Sequence, residues 1–330
     1  MTDAAAEPST VTAADGSAVV RAVFFGSGSF AVPILDAFVG VPGVRVEAVV
    51  SAPDRPVGRK AVVTPTPVAA RARELGLPLL QPVRVRLPES VEALAALAPD
   101  LIVLADYGQI IPRVLLDLPA RGFLNLHPSA LPRHRGAAPI PATILAGDAE
   151  SAVTLIVVTE EMDAGPIVAC EPLDVRTDDT AVTLEVRAAD VAAVLLRRAL
   201  PEWLAGRLVA RPQPTDGVTM TRPLRREDGR LDPGRSAVEL ERQVRAYQPW
   251  PGSFIQSTST RWERLIVWEA HVAPSEHGDR DRVGDFVPSS DAGLPFVTCD
   301  GRLVLDRLQR AGGREMVAED YVRGHPDLVR

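Results

Sequence analysis

Apolar, β-branched runs alternate with helical patterns from about residue 20 to residue 205, and this alternation constrains the fold more than any other feature. At its start, the predicted strands are Val19 to Phe25 and Val44 to Ser51, and the predicted helices are Phe30 to Val39 and Val68 to Leu75. A long helix from Ala181 to Ala205 ends the series. Strands joined by helices pair in parallel, because the crossover helices cover the faces of the sheet. The sequence therefore predicts an α/β, Rossmann-like domain with a mostly parallel sheet over residues 18–206.

The pattern changes at Arg211 to Pro223 (RPQPTDGVTMTRP), where three prolines and one glycine interrupt it. We interpret residues 207–223 as an inter-domain linker. Short β-rich runs follow, among them Glu263 to Val272 and Leu303 to Leu308, with glycine and proline between them. These runs predict a small β-barrel domain over residues 224–330. The first 17 residues lack both apolar periodicity and strand patterns, and we expect them to form a disordered tail.

Charge and cysteine content limit the function classes. The formal net charge of -7 excludes a protein that holds nucleic acid by bulk positive charge, so any RNA contact must use local basic clusters. Cys170 and Cys299 fall in different predicted domains, which favours reduced thiols over a disulfide framework. No stretch approaches eighteen apolar residues, and the start lacks the pattern of a signal peptide. We expect a cytoplasmic monomer with no membrane partner.

The block Asn125 to Ile140 (NLHPSALPRHRGAAPI) narrows the chemistry most. Residues 122–127 alternate as in a strand, so the side chains of Asn125 and His127 share one face. Val153 to Val158 predicts the next strand, followed by Asp163 in a turn, and we expect the two strand ends to face each other. An amide can donate to an oxyanion, an imidazole can move a proton, and a carboxylate can orient the imidazole. The alternative is that the Asn-X-His pair only makes local hydrogen bonds.

Further motifs extend along the chain. They are VFFGSGSFAVPIL near the start, PDRPVGR from Pro53 to Arg59, GDAESAVTLIVVTEEMDAGPIV, RAYQPWPGSF from Arg245 to Phe254, and a final DGRL with AGGREM. Together with the NLHPSALPRHRGAAPI block, these motifs closely resemble the methionyl-tRNA formyltransferases, within the wider group of folate-dependent formyltransferases. The resemblance covers roughly residues 20 to 325. It implies a formyltransferase domain followed by a second domain that is OB-like and binds tRNA.

The resemblance also implies the reaction and its residues. The α-amine of methionyl initiator tRNA would attack the formyl carbon of 10-formyltetrahydrofolate, which leaves tetrahydrofolate and formyl-methionyl-tRNA for translation initiation. No metal is implied. The family's catalytic trio matches Asn125, His127 and Asp163. Its folate contacts match Ser129, Ala130, Leu131 and Pro132. Ala130 replaces a leucine of the family pattern, which removes apolar contact worth about 1.5–3 kcal/mol where that leucine is fully buried.

Basic residues of the PDRPVGR motif suit contacts with RNA phosphates. In the family this loop reaches the tRNA. The predicted tRNA contacts are Arg55, Arg59, Lys60 and Arg245. The family usually has more lysines after its glycine-arginine pair than the GRKAVV of this chain, which predicts weaker phosphate contacts.

Three other functions stay open from sequence. Gly26, Gly28 and Ala31 satisfy a nucleotide-binding GxGxxA pattern, but the acid expected after the second strand is displaced into the next loop as Asp54. A formyltransferase that acts on a small amine, such as an amino sugar or glycinamide ribotide, would share the fold and the donor. The sugar enzymes can carry a similar second domain, whereas the glycinamide enzymes normally have a single domain. A non-catalytic nucleotide-binding or RNA-binding module would have no need of the trio.

Overall fold

The computed structural model describes residues 19–58, 61–256, 264–288, 292–325 and 328. The predicted tail of residues 1–17 and two predicted RNA contacts, Arg59 and Lys60, lie outside the described residues. The chain divides into two compact units. The first contains the described parts of residues 1–135, 152–173 and 186–220, and the second those of residues 136–151, 174–185 and 221–330.

Eleven strands precede the C-terminal β region among the described residues. They are β1 (Val20–Gly26), β2 (Val44–Val50), β3 (Arg55–Val57), β4 (Val62–Thr64), β5 (Leu79–Leu80), β6 (Leu101–Ala105), β7 (Phe123–His127), β8 (Arg135–Gly136), β9 (Glu150–Val157), β10 (Ile167–Asp174) and β11 (Met220–Thr221). The helices between them are α1 (Ala31–Val39), α2 (Pro67–Glu74), α3 (Pro88–Ala96), α4 (Arg113–Leu116), α5 (Pro139–Ala146) and α6 (Ala181–Leu204). The main sheet has the order β10-β9-β7-β6-β1-β2-β5, and β3 and β4 form a separate hairpin.

The main sheet is mostly parallel, as the alternation of strands and helices predicts. Strand β1 runs parallel to β2 and to β6, β2 parallel to β5, and β6 parallel to β7. Val23, Phe24 and Phe25 in β1 are fully buried, which fits a strand covered on both faces. Thr66 caps the N-terminus of α2, where its hydroxyl accepts a hydrogen bond from the Ala69 amide at 3.0 Å.

Strand β9 corrects one expectation from the sequence. It runs antiparallel to β7, with His127 opposite Thr154 and Leu124 opposite Val157. The carboxyl ends of β7 and β9 therefore lie at opposite edges of the sheet and do not face each other. A short apolar, β-branched run occurs in buried strands of either direction, so the run over Val153 to Val158 does not determine the strand direction.

The second unit contains an antiparallel sheet. Its strands are β12 (Ser253–Ile255), β13 (Leu265–Ala273), β14 (Leu294–Val297), β15 (Arg302–Arg310) and β16 (Glu315–Val317), with helices α7 (Ala237–Ala246) and α8 (Ala318–Gly324). The strand order is β12-β13-β15-β14, and β16 pairs with β15. Leu240 and Val244 of α7 pack in one buried cluster with Val267 and Leu305. The predicted β-rich second domain is confirmed.

Within the same unit, α5 packs against α7. None of the described helices combines the length and the apolar character that crossing a membrane requires.

Candidate active site

Asn125, His127 and Asp163 lie together in the first unit. Asn125 Nδ2 donates a hydrogen bond to Asp163 Oδ1 at 3.2 Å. His127 Nδ1 lies 3.6 Å from the second carboxylate oxygen, Oδ2. Asn125 and His127 are buried, and the Asp163 side chain is 15% exposed. One carboxylate therefore contacts both polar side chains that project from the same face of β7.

The two nitrogens of the His127 ring have different partners. Nε2 lies 2.9 Å from the carbonyl oxygen of His134, in a buried contact. A carbonyl oxygen only accepts hydrogen bonds, so Nε2 carries a hydrogen and donates it. Nδ1 is then the nitrogen that can gain or release a proton, and it faces the carboxylate of Asp163. This arrangement orients the imidazole for proton transfer.

The loop after β9 brings Asp163 to this face. Asp163 has a φ of +50°, a conformation that aspartate adopts more readily than most residues. Two residues later, a Cβ on Gly165 would lie 1.7 Å from the Val157 carbonyl oxygen, so only glycine fits there. The loop is also anchored where the Val157 amide donates to the Pro166 carbonyl oxygen at 2.9 Å. Backbone geometry after β9, instead of a neighbouring strand end, positions the carboxylate.

The four predicted folate contacts form a turn directly after His127. The Ser129 carbonyl oxygen accepts from the Leu131 amide at 3.0 Å and from the Thr154 hydroxyl at 2.7 Å. The Ser129 hydroxyl donates to the Arg133 carbonyl oxygen at 2.7 Å. Leu131 is buried, whereas Ala130 and Pro132 are half-buried. The polar groups of this turn fix its shape, and the accessible surface of residues 130 and 132 is apolar.

Sequence reasoning did not identify two residues of the predicted linker that contact these loops. Gln213 bonds to the backbone at Asp163 and Gly165 and to the side chain of Arg135. The Thr219 hydroxyl accepts from the His134 amide at 2.7 Å, and the Arg135 amide donates to the Thr219 carbonyl oxygen at 3.0 Å. Polar residues in a proline-rich stretch gave no signal of such contacts.

The structure describes two of the four predicted RNA contacts, Arg55 and Arg245. Arg55 begins β3, directly after the loop that follows β2, and is exposed. Arg245, in the second unit, donates through Nε and Nη2 to the Glu241 carboxylate, and through Nη1 to the Asp179 carbonyl oxygen at 2.8 Å. Its side chain is only 18% exposed. The charge of Arg245 is therefore paired within the unit.

The described residues offer a surface for an organic cofactor but no cluster of side chains for a metal ion. Within the described ranges, no group of three or more histidine, cysteine, aspartate and glutamate side chains is arranged to hold a metal ion. The apolar turn of residues 129–132 lies beside His127 and can pack against a flat ring system. The arrangement as a whole offers an amide donor, an oriented imidazole and a carboxylate next to an apolar surface.

Comparisons with known proteins agree with this geometry. Residues 20–200 match the formyl transferase family, and residues 223–326 match the formyl transferase C-terminal domain. The methionyl-tRNA formyltransferase of Halorhodospira halophila is 44% identical over 92% of this chain and 96% of its own. That of Myxococcus xanthus is 40% identical over 92% of this chain and 95% of its own.

A solved structure supports the fold alone. WlaRD, described as a sugar 3N-formyl transferase in the presence of dTDP and 5-N-formyl-THF, aligns with a TM-score of 0.64 at 14% identity. The alignment covers 90% of this chain and 99% of the other. The family resemblance seen in the sequence motifs is confirmed, and the chain belongs to the formyl transferase family.

Proposed function

We propose that this protein transfers a formyl group from 10-formyltetrahydrofolate to the α-amine of methionyl initiator tRNA, in the cytoplasm, for translation initiation. The observation that carries the proposal is similarity along almost the full chain to two enzymes named for this reaction. The grouping of Asn125, His127 and Asp163 supplies side chains that such an acyl transfer requires.

Asn125 is the proposed oxyanion donor. Attack by the amine places negative charge on the formyl oxygen, and a preorganised N–H donor stabilises that charge. The Asn125 amide has two N–H hydrogens, and its bond to Asp163 uses one of them. The other can donate to the developing oxyanion. The bond to Asp163 also fixes the rotation of the amide, so that nitrogen and not oxygen points toward the carboxylate.

His127 is the proposed group that moves the proton from the attacking amine to the leaving nitrogen. Its Nε2–H is held by the His134 carbonyl oxygen, so exchange occurs at Nδ1. When Nδ1 is protonated, the Asp163 carboxylate 3.6 Å away stabilises the imidazolium. Proton transfer of this kind contributes about a hundredfold to ten-thousandfold in rate.

The turn of residues 129–132 is the proposed folate contact. 10-Formyltetrahydrofolate supplies the formyl group and leaves as tetrahydrofolate. The half-buried Ala130 and Pro132 present apolar surface that fits a flat ring, while internal hydrogen bonds occupy the polar groups of Ser129. Ser129 and Leu131 then act mainly by holding the shape of the turn.

The proposed tRNA contacts begin at the hairpin of β3 and β4. Arg55 is exposed there, in a sequence that continues to Arg59 and Lys60. Phosphate contacts of this kind position an RNA without reading its sequence. We also propose a phosphate contact for Arg245. Three of its five N–H groups are bonded within the second unit, which leaves two for a phosphate.

The test is to incubate the purified protein with 10-formyltetrahydrofolate and methionyl initiator tRNA, and to measure formyl-methionine after deacylation. An amino sugar nucleotide and glycinamide ribotide serve as parallel acceptors, with release of tetrahydrofolate as the readout, and uncharged tRNA, which has no methionyl amine, is the negative control. Formylation of the charged tRNA alone is the expected result. Transfer only to a small amine would overturn the tRNA assignment, and would place the chain with sugar formyltransferases, which share the fold.

A further inference from the structure

The segment around Gln213 is paired with the core of the first unit. The Ile167 amide donates to the Arg211 carbonyl oxygen at 2.7 Å, and the Arg211 amide donates back to the Ile167 carbonyl oxygen at 2.8 Å. This reciprocal pair is a short antiparallel bridge at the start of β10. It places Gln213 beside the loop that carries Asp163. The segment thus has a fixed position where the sequence predicted a linker.

The Gln213 side chain uses its full hydrogen-bonding capacity. Nε2 donates to the carbonyl oxygens of Asp163 and Gly165, at 2.7 and 2.8 Å. Oε1 accepts from Nε and Nη2 of Arg135, at 3.0 and 2.8 Å. A primary amide has two hydrogens and two acceptor sites, and all four are occupied. Of the common side chains, only asparagine and glutamine combine paired donors with a carbonyl acceptor, and asparagine is one methylene shorter.

The two sets of bonds join the two loops that contact the His127 ring. One loop carries Asp163, whose carboxylate faces Nδ1. The other loop carries His134, whose carbonyl oxygen accepts from Nε2, and Arg135 follows it directly in sequence. Arg135 is 8% exposed, and its Nη1 also lies 3.6 Å from Glu161 Oε1. The amide of Gln213 therefore connects the backbone of the Asp163 loop on one side of the imidazole with the Arg135 side chain on the other.

We infer that Gln213 is a positioning residue, which holds the Asp163 loop and the His134–Arg135 segment in register around His127. The inference rests on the proposed formyl transfer. Loss of Gln213 should slow the chemical step, because displacement of a catalytic group by about 1 Å can cost about a hundredfold in rate. Substrate binding through the hairpin of β3 and β4 does not depend on Gln213, so the KM for the acceptor stays near that of the wild type.

The test is a double-mutant cycle with Gln213→Ala and Asp163→Asn, measured as kcat at saturating substrates. Gln213→Ala is expected to lower kcat about tenfold to a hundredfold in the wild-type background. In the Asp163→Asn background it is expected to lower kcat less than threefold, because the carboxylate it positions is already gone. Equal factors in both backgrounds would overturn the inference, since they indicate a general structural effect.

Two further variants sharpen this test. Gln213→Glu keeps an acceptor for Arg135 but loses both N–H donors, so it is expected to lose at least tenfold in kcat. Near wild-type kcat in this variant would also overturn the inference, because contact with Arg135 alone would then suffice. Thr215→Ala is the matched control, since Thr215 is exposed in the same segment, and its kcat should stay within twofold. If Gln213→Ala fails to fold, Gln213→Glu replaces it in the cycle.

The outcome is separable from that of the proposed function. Wild-type protein is assayed first with methionyl initiator tRNA and with the small amines. If only a small amine is formylated, the tRNA assignment fails. The same cycle is then run with that acceptor, and Gln213 is judged by whether its effect depends on Asp163.

Discussion

Two pairs of a carboxylate and a basic side chain, one in each unit, differ in how completely the carboxylate is hydrogen-bonded to its partner. In the second unit, Asp279 accepts from Nε and Nη2 of Arg302 at 2.8 and 2.7 Å, and both side chains are less than a tenth exposed. In the first unit, His127 Nδ1 lies 3.6 Å from one carboxylate oxygen of Asp163, and the other oxygen accepts a hydrogen bond from Asn125. The bidentate pair suits a structural role, whereas the looser pair retains the capacity to exchange a proton.

The hydrogen bonds between Asp279 and Arg302 shift the pKa values of both groups. The hydrogen bonds from Arg302 hold the pKa of the Asp279 carboxyl below its ordinary value, and the same bonds raise the pKa of Arg302. Both groups are thus fixed in their charged forms at neutral pH. A catalytic acid–base pair cannot be fixed in this way, because it must change protonation during turnover. Substitutions in the His127–Asp163 pair should therefore lower activity, and substitutions in the Asp279–Arg302 pair should lower stability.

The largest expected effect is on turnover. His127→Ala should lower kcat by at least about a hundredfold, because it removes the proposed proton carrier. His271→Ala is the matched control. His271 also faces a carboxylate, with Nδ1 2.9 Å from Asp306, but its side chain is 56% exposed and in the second unit. Its kcat should be unchanged. Near-normal turnover of His127→Ala, measured by formyl-methionine release, would remove His127 from the mechanism.

Asp279→Ala should have the opposite phenotype. Removing one partner of a buried ion pair typically costs about 3–5 kcal/mol, because the other charge stays buried. Glu276 lies 2.7 Å from Nη1 of Arg302 and partly compensates, so the lower end of this range is expected in urea unfolding. Asp320→Ala removes an exposed pair with Arg323 and should cost less than about 1 kcal/mol. Equal losses in the two variants would contradict the buried-pair interpretation.

Acid should remove part of the same stabilisation. The folded-state pKa of Asp279 is lowered, so the unfolded chain takes up its proton first as the pH falls. The contribution of the pair is therefore complete above about pH 4, the unfolded value, and declines as the pH falls through the folded value. The difference in unfolding free energy between wild type and Asp279→Asn should be constant from pH 5 to 8. It should shrink below pH 4, and a difference that grows there would contradict this sign.

The contrast also shows which parts of the site the sequence could predict. Strand alternation places Asn125 and His127 on one face whatever the neighbouring strand does, so that prediction needs only the period of two. The direction of β9 was not predictable from its pattern, and neither was the return of the loop to place Asp163. That position depends on backbone conformation at Asp163 and Gly165. The parallel core followed from the alternation of elements, because helices must cover a parallel sheet.

Side-chain partners on loops were less predictable. Gln213 occupies a proline-rich stretch that resembles a linker, and its four bonds depend on tertiary contacts with Asp163, Gly165 and Arg135. Arg245 is different, because its partner Glu241 lies four residues earlier on the same helix. The i, i+4 rule predicts that pair from sequence alone. A basic residue is a stronger candidate for RNA contact when no acid occupies that position.

The smallest expected effects concern two arginines: Arg55 is exposed, whereas Arg245 is paired with Glu241. Arg55→Ala should raise the KM for methionyl-tRNA about twofold to fivefold, since an exposed charge contact contributes about 1 kcal/mol or less. The slope of log KM against log salt should fall by about one, as expected for one lost phosphate contact. Arg45→Ala is the control, because Arg45 is exposed near the amino end of β2 and Arg55 follows the carboxyl end.

Arg245→Ala completes this comparison. Glu241 would lose its cation, so the melting temperature should fall, while the salt slope should change less than in Arg55→Ala. A salt slope that falls by a full unit in Arg245→Ala would show that the two remaining N–H groups bind phosphate, and the residue would then serve structure and RNA binding together. An unchanged slope in Arg55→Ala would remove Arg55 from the tRNA contact, because a phosphate contact cannot be lost without releasing its share of the salt dependence.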